Sequence, residues 1–307
     1  MQKWIILFLK GIAMGASDVV PGVSGGTIAF ISGIYERLIQ AIKSINLANI
    51  KLLLKGNFRA FWKNIDGSFL CCLFAGIAVS FLSLAKVITY LINTQPILVW
   101  SFFFGLVIAS TYFVGKDVKW NVKTLLVFAV FAVLSFFITS PTNAPMNTNG
   151  DYWFIFLCGM IAICAMILPG ISGSFILLLL GQYEVILKAL HIDDFNFTII
   201  ALFGCGAAIG IVSFANILTW LFKNYKMLTL AALTGFMFGS LNKIWPWKTT
   251  IETYTDRHGI VKPLIQENVL PNGNESSLLL AFLLIVVGLS LIFSIEFVSN
   301  KIKHNSK

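Results

Sequence analysis

Apolar positions in this chain come in long unbroken runs, not in the alternations or narrow stripes of a water-soluble fold. Six runs are long enough to cross a hydrocarbon layer of about 30 Å as helices. They are Gly67 to Ile92, Pro96 to Val114, Thr124 to Ser140, Phe197 to Phe222, Met227 to Trp245 and Ser277 to Val298. Two further apolar stretches, Trp4 to Ile42 and Tyr152 to Leu190, are interrupted midway at PGVSGG and PGISGS. Proline removes a backbone donor and breaks a helix, and hydrocarbon tolerates such a break only where protein or water satisfies the freed groups.

The two interrupted stretches are copies of one another. They align without a gap, Pro21 with Pro169, Ser24 with Ser172, Gly25 with Gly173, Gly33 with Gly181, Tyr35 with Tyr183 and Glu36 with Glu184. The likeness continues at a shorter offset, pairing Gly76 with Gly206, Ser83 with Ser213, Thr89 with Thr219, Gly105 with Gly235 and Ser110 with Ser240. The change of offset places an insertion in the first half, where Lys51, Lys55, Arg59 and Lys63 fall four apart among Leu47, Ile50, Leu54 and Phe61. That spacing predicts a basic amphipathic helix lying on a membrane surface, where it would meet anionic lipids. Residues 1–140 then form a first repeat: a hairpin over 4–42, the insertion over 43–66 and three spans over 67–140. Residues 152–300 form the second, with a hairpin over 152–190, three spans over 197–298 and a loop of mixed charge at 246–276.

Charge sets the sides. The loop from Arg37 to Lys63, the Lys116, Lys119 and Lys123 group, Lys223 with Lys226, and the tail with Lys301, Lys303 and Lys307 are all basic. The connections Asn93 to Gln95, Pro141 to Asp151 and His191 to Asn196 hold no Lys or Arg. The positive-inside rule puts the basic set and both termini in the cytoplasm. Each interrupted stretch must then begin and end on one face, which makes it a re-entrant hairpin with its break near the midplane. Three crossings per half turn the second half upside down. The expected fold is an all-α integral membrane protein with an inverted-topology repeat.

Composition agrees: 58% of the 307 residues are hydrophobic and 11% charged, too few polar groups to cover a soluble globule. The net charge of +9 sits in short loops, so it orients the chain in the membrane and does not mark a nucleic-acid binder. Cys71, Cys72, Cys158, Cys164 and Cys205 lie in apolar segments without CxxC spacing and read as small buried apolar residues. Met1 to Ala16 has the outline of a signal peptide, but its internal copy argues that it is retained. No HExxH or phosphate-binding GxxxxGK[ST] occurs, and the three histidines do not cluster, so neither an enzyme, a cofactor nor a metal is expected.

A duplicated helix break at membrane depth points to a transporter's binding site. Gly25, Gly26 and Gly173 present backbone N–H groups at the start of the next helix, with Ser24, Thr27, Ser172 and Ser174 as further donors, an arrangement that holds phosphate. The same small residues also suit close helix packing, and both readings stand. Asp18 precedes the first break and has Met166 as its counterpart; it either caps the following helix or carries a coupling proton. Lys86 either snorkels to the interface or attracts an anionic headgroup. Glu36, Arg37 and Glu184, near the hairpin ends, read as interfacial. A small-anion channel or carrier would use the same helix ends. A lipid phosphatase built on Asp18 would lack a second acid, a histidine and a metal cluster.

GASDVVPGVSGGT, the second ILPGISGSF with GQYE, and IWPW at Ile244 to Trp247 resemble the PopT family of polyprenyl phosphate transporters of bacteria and archaea, over nearly the whole chain. The resemblance implies movement of undecaprenyl phosphate, the lipid carrier of cell-wall synthesis, from the outer to the cytoplasmic leaflet of the plasma membrane for reuse. The polyprenyl chain is implied by the resemblance alone; the residues themselves indicate an anion.

Overall fold

The computed structural model describes residues 2–19, 24–140, 151–170, 172–190, 195–255, 261–271 and 277–304. The chain divides into two compact units, Met1–Ile88 with Pro145–Leu230, and Thr89–Ala144 with Ala231–Lys307. The units do not follow the two halves of the sequence, because each draws on both.

In the first unit, helix α1 (Gln2–Val19) leads to the first break, followed by α2 (Gly25–Ile31) and α3 (Tyr35–Lys43). The second copy repeats this order as α9 (Tyr152–Ile167), α10 (Gly173–Leu179) and α11 (Tyr183–Leu190). The sequence predicts a helix running on from Gly26 to Glu36. Instead each copy turns after seven helical residues, at Gly33 (φ +71°) and Gly181 (φ +69°). No Cβ contact lies within 4 Å of Gly33, so the glycine is there for its left-handed backbone, not for space.

The insertion, expected as one helix, is two. Helix α4 (Leu47–Leu54) and α5 (Phe58–Asn64) are divided at Gly56, whose φ is +75°. Asn46 and Asn57 accept the Asn49 and Ala60 N–H groups in the first turns of these helices and fix their starts. Neither helix buries a residue; Leu47, Leu54, Phe58 and Trp62 all stand exposed.

The long helices α6 (Gly67–Thr94) and α12 (Phe197–Asn224) pack against α1 and α9 through glycine. A Cβ on Gly11 would lie 2.3 Å from the Leu73 carbonyl oxygen, and one on Gly76 2.3 Å from that of Phe8. The second copy does the same, Gly159 against Phe203 and Gly206 against Phe156. Such crossings replace the hydrophobic drive that lipid cannot supply with van der Waals contact between backbones. Gly206→Leu is expected to cost at least 1–3 kcal/mol by overpacking, because the obstacle at 2.0 Å is backbone. Gly204→Leu, two residues away with nothing within 4 Å, should be nearly neutral. Thermal melts of the two variants in detergent check the pair.

The second unit holds α7 (Pro96–Lys116), α8 (Val122–Thr139), most of α13 (Lys226–Ser240) and α14 (Leu278–His304). Helix α7 starts with proline at its first turn, where the missing N–H costs nothing, and α8 with an Asn121–Thr124 capping box. Gly105 and Gly288 bring α7 and α14 together, and Gly235 and Gly239 bring α13 onto α8.

Among the described residues, α6, α7, α8 and α12 are long and apolar enough to cross a membrane. Their lipid-facing sides expose Leu82, Val130, Phe137 and Trp220, as a helix in hydrocarbon must. The run Met227 to Trp245, expected as a full span, is helical only to Ser240. Its 15 residues reach about 22 Å, and Leu241–Lys243 close its end in tighter turns, each N–H donating to the carbonyl three residues before it.

The loop at 246–276 departs from the all-α expectation. It holds an antiparallel ribbon of β1 (Lys248–Thr255) and β2 (Val261–Asn268). The ribbon is tied to the end of α13 by Asn268 Nδ2 donating to the Asn242 carbonyl (2.8 Å) and Trp245 Nε1 to that of Val269 (2.9 Å). Lys248 lies 4.2 Å over the Trp100 ring; burial and the neighbouring Lys243 charge lower its pKa to about 7, so this stem changes charge near neutrality. The cysteines also depart from expectation. All five are free, but Cys71 and Cys205 are exposed and only Cys158 is fully buried.

Candidate functional site

The site is built from the two breaks, which meet inside the first unit. At the first, Pro21, Gly22 and Val23 lie outside the described residues, and Ser24 opens α2 in an extended conformation. Its hydroxyl accepts the Gly26 N–H (3.1 Å) and donates to the Met166 carbonyl of the other copy (3.0 Å). Thr27, fully buried, accepts the Gly170 N–H at 3.0 Å. Gly26 passes so close to α9 that a Cβ would lie 2.6 Å from the Ile167 carbonyl oxygen.

At the second break, Leu168 is extended, as the residue before proline must be, and Gly170 takes φ +93°. That turn aims the Gly170 N–H at Thr27. Ser172 is buried and its hydroxyl bonds that of Ser174 at 2.8 Å, with Ser174 exposed. Gly173 lies on α9, where a Cβ would come 2.7 Å from the Ala162 carbonyl oxygen.

Asp18 completes the first break. Its carboxylate accepts the Gly25 N–H at 2.6 Å, and a Cβ on Gly25 would strike it. The N–H of Thr27 goes to the Ser24 carbonyl. The first three donors of α2 are therefore satisfied within the protein, one of them by a carboxylate resting where an anion rests at a helix start.

The remaining sequence-predicted residues lie away from the breaks or outside the described residues. Glu36 pairs with Lys226 at 3.0 Å, both half-exposed. Arg37 holds Asp66 through two bonds, 2.7 and 3.1 Å, and stacks over Phe69. The side chains of Lys86 and Glu184 lie outside the described residues. Sequence reasoning missed that Met166, Ile167 and Gly170 face the first break. The glycines at Gly11 and Gly15, and at Gly206 and Gly210, carry the spacing that signals close crossing and could have suggested which helices pair.

A family model described as VCA0040-like, undecaprenyl phosphate translocase-like, matches residues 14–262. The polyprenyl-phosphate transporter of Vibrio cholerae serotype O1 is 41% identical over 302 residues, covering 96% of this chain and 97% of the relative. The polyprenyl-phosphate transporter of Staphylococcus aureus is 33% identical over 259 residues, covering 80% and 87%. No solved structure matches.

Proposed function

Because the chain belongs to the VCA0040-like, undecaprenyl phosphate translocase-like family, we propose that it is a multi-pass transporter that carries a polyprenyl phosphate, undecaprenyl phosphate in particular, between membrane leaflets. It recycles the lipid carrier of cell-wall synthesis from the outer to the cytoplasmic leaflet of the plasma membrane. The observation that carries the reading is the meeting of the two breaks through Ser24 with Met166 and Thr27 with Gly170. A phosphate cannot cross hydrocarbon without polar partners, since an isolated buried ion costs far more than any single contact returns. The first break meets Met166, Ile167 and Gly170 of the other copy, and on this reading the phosphate is held by Ser24, Gly25, Gly26 and Thr27 from one copy with Ser172, Gly173 and Ser174 from the other.

Asp18 works in this site as a stand-in anion. The substrate's phosphate takes its place on the Gly25 N–H, and the displaced carboxylate takes up a proton that travels with the lipid. The lipid tail stays in the bilayer throughout.

The inverted repeat fits this reading and is supported by the matched glycine crossings, Gly11 with Leu73 and Gly159 with Phe203, and by the matched turns at Gly33 and Gly181. The basic loops and termini lie on the cytoplasmic side by the positive-inside rule, and each broken stretch re-enters the face it left. Helices α4 and α5 rest on that leaflet, their exposed apolar residues in the bilayer and Lys51, Lys55, Arg59 and Lys63 on anionic headgroups.

The test uses liposomes with undecaprenyl phosphate in the outer leaflet and an impermeant phosphatase outside. Protein-containing liposomes should shield the lipid faster than protein-free ones. Equal rates would sink the reading.

A further inference from the structure

The first hairpin carries a second group of charges that the paired breaks do not use. A cavity of about 330 Å³ is lined by Lys3, Lys10 and Arg37, with Trp4, Leu7 and Ile34 among its apolar walls. Lys3 and Lys10 are two helical turns apart on α1 and so share a face. Lys10 Nζ donates to the Ser32 carbonyl at 2.5 Å, which fixes one ammonium at the cavity wall. Arg37 is held by its two bonds to Asp66 and its stacking on Phe69. Those bonds use two of its five donors and set the orientation of the rest. Three cations thus border one space, with Asp66 as an acidic group bonded to Arg37, and the described residues that line it include no carboxylate.

The repeat shows what is unusual here. In the copy the wall is kept in part, Trp4 becoming Tyr152 and Leu7 becoming Ile155 while Ile34 becomes Gln182, and every cation is lost: Lys3 becomes Asp151, Lys10 becomes Cys158 and Arg37 becomes Val185. The order of helices recurs without the cations, so the charge is not needed for packing the hairpin. Beside the cavity, Trp4, Ile5 and Leu9 are exposed on α1, an apolar surface suited to contact with a lipid tail.

We propose that this cavity is a one-sided acceptor for the phosphate headgroup of a membrane lipid, with Lys3, Lys10 and Arg37 on the phosphate and Trp4 and Leu7 against the first carbons of the tail. This deepens the proposed function: a resting place for the headgroup at the mouth of one hairpin and not of the other biases the lipid towards that leaflet.

The experiment is photolabelling of the full chain in nanodiscs with an isoprenyl monophosphate bearing a diazirine in its first isoprene unit, mapped by peptide mass spectrometry. Label is expected on residues 3–10 and 34–37. Lys3→Gln should lower it about five-fold, and Lys3→Gln with Lys10→Gln about twenty-five-fold, while Lys10→Arg keeps it. Lys3 is exposed, so its variant does not disturb folding. Competition identifies the source of the phosphate. Displacement by phosphatidylglycerol as well as by unlabelled isoprenyl phosphate supports a general lipid-phosphate site, and displacement by the monoester alone supports one kept for the substrate. Displacement by inorganic phosphate at equal concentration would overturn the lipid assignment, and parental labelling in the double variant would overturn the site. Failure of the proposed function reads out separately, as transport absent in the parent protein whatever the labelling shows.

Discussion

Gly26→Ala is expected to abolish transport while leaving the helices folded. The added methyl carbon would lie 2.6 Å from the Ile167 carbonyl oxygen and 3.2 Å from that of Met166. Both obstacles are backbone, so no side-chain rotation relieves them; α2 must move away from α9. That movement stretches Ser24 to Met166 and Thr27 to Gly170, the two bonds that join the breaks. Overpacking costs about 1–3 kcal/mol and each lost hydrogen bond about 1 kcal/mol, enough to pull the short segments away from each other but not to unfold a chain of this size. Gly33→Ala is the comparison, since it meets no atom within 4 Å and pays only for its left-handed backbone, about 1–2 kcal/mol. Leaflet exchange and helical content should be measured on both. Parental exchange in Gly26→Ala would show that the meeting of the breaks has nothing to do with transport.

Asp18→Asn is expected to keep lipid binding and to make transport indifferent to a pH gradient. The amide oxygen can still accept the Gly25 N–H that the carboxylate accepts at 2.6 Å, so the start of α2 survives. What is lost is a charge that can be neutralised by a proton. The distinction matters because a doubly charged headgroup moving inward against an inside-negative potential costs about 2.3 kcal/mol per charge per 100 mV, a cost that a co-transported proton reduces. Asp18→Ala separates the two roles by removing the acceptor too, at about 1 kcal/mol of stability. Exchange in liposomes with imposed gradients of either sign is the measurement. A gradient response in Asp18→Asn equal to the parent's would leave Asp18 as a helix cap.

The sequence made the helical class and the paired motifs legible because both depend on local composition. Hydrocarbon demands long apolar runs, and a copied PGxSG stands out within them. What it hid were contacts between distant segments. Nothing near Ser24 indicates that its hydroxyl would seek the carbonyl of Met166, because backbone acceptors carry no residue signature. Asp18 was legible as an ionisable group in an apolar stretch, yet its partner is the N–H of a glycine, and any residue but proline offers one. Leu241–Lys243 read as the end of a span on hydropathy, and turns there arise from the bonds to Phe238, Gly239 and Ser240 that close α13. The split of the insertion was marked by Gly56, but helical spacing on both sides of it outweighed a single glycine.

The glycine crossings of the second unit constrain how the chain is made. Helix α7 finds its partner in α14, through Gly105 against Ile285 and Gly288 against Phe102, and α8 finds its partner in α13, through Gly235 against Phe128 and Gly239 against Ala132. Helices α7 and α8 leave the ribosome first and α13 and α14 last, so the two early helices wait in the bilayer with their close-packing faces open until the chain is nearly finished. The halves are clasped like two hands, each holding the other's fingers, and a first half synthesised alone has no hand to hold.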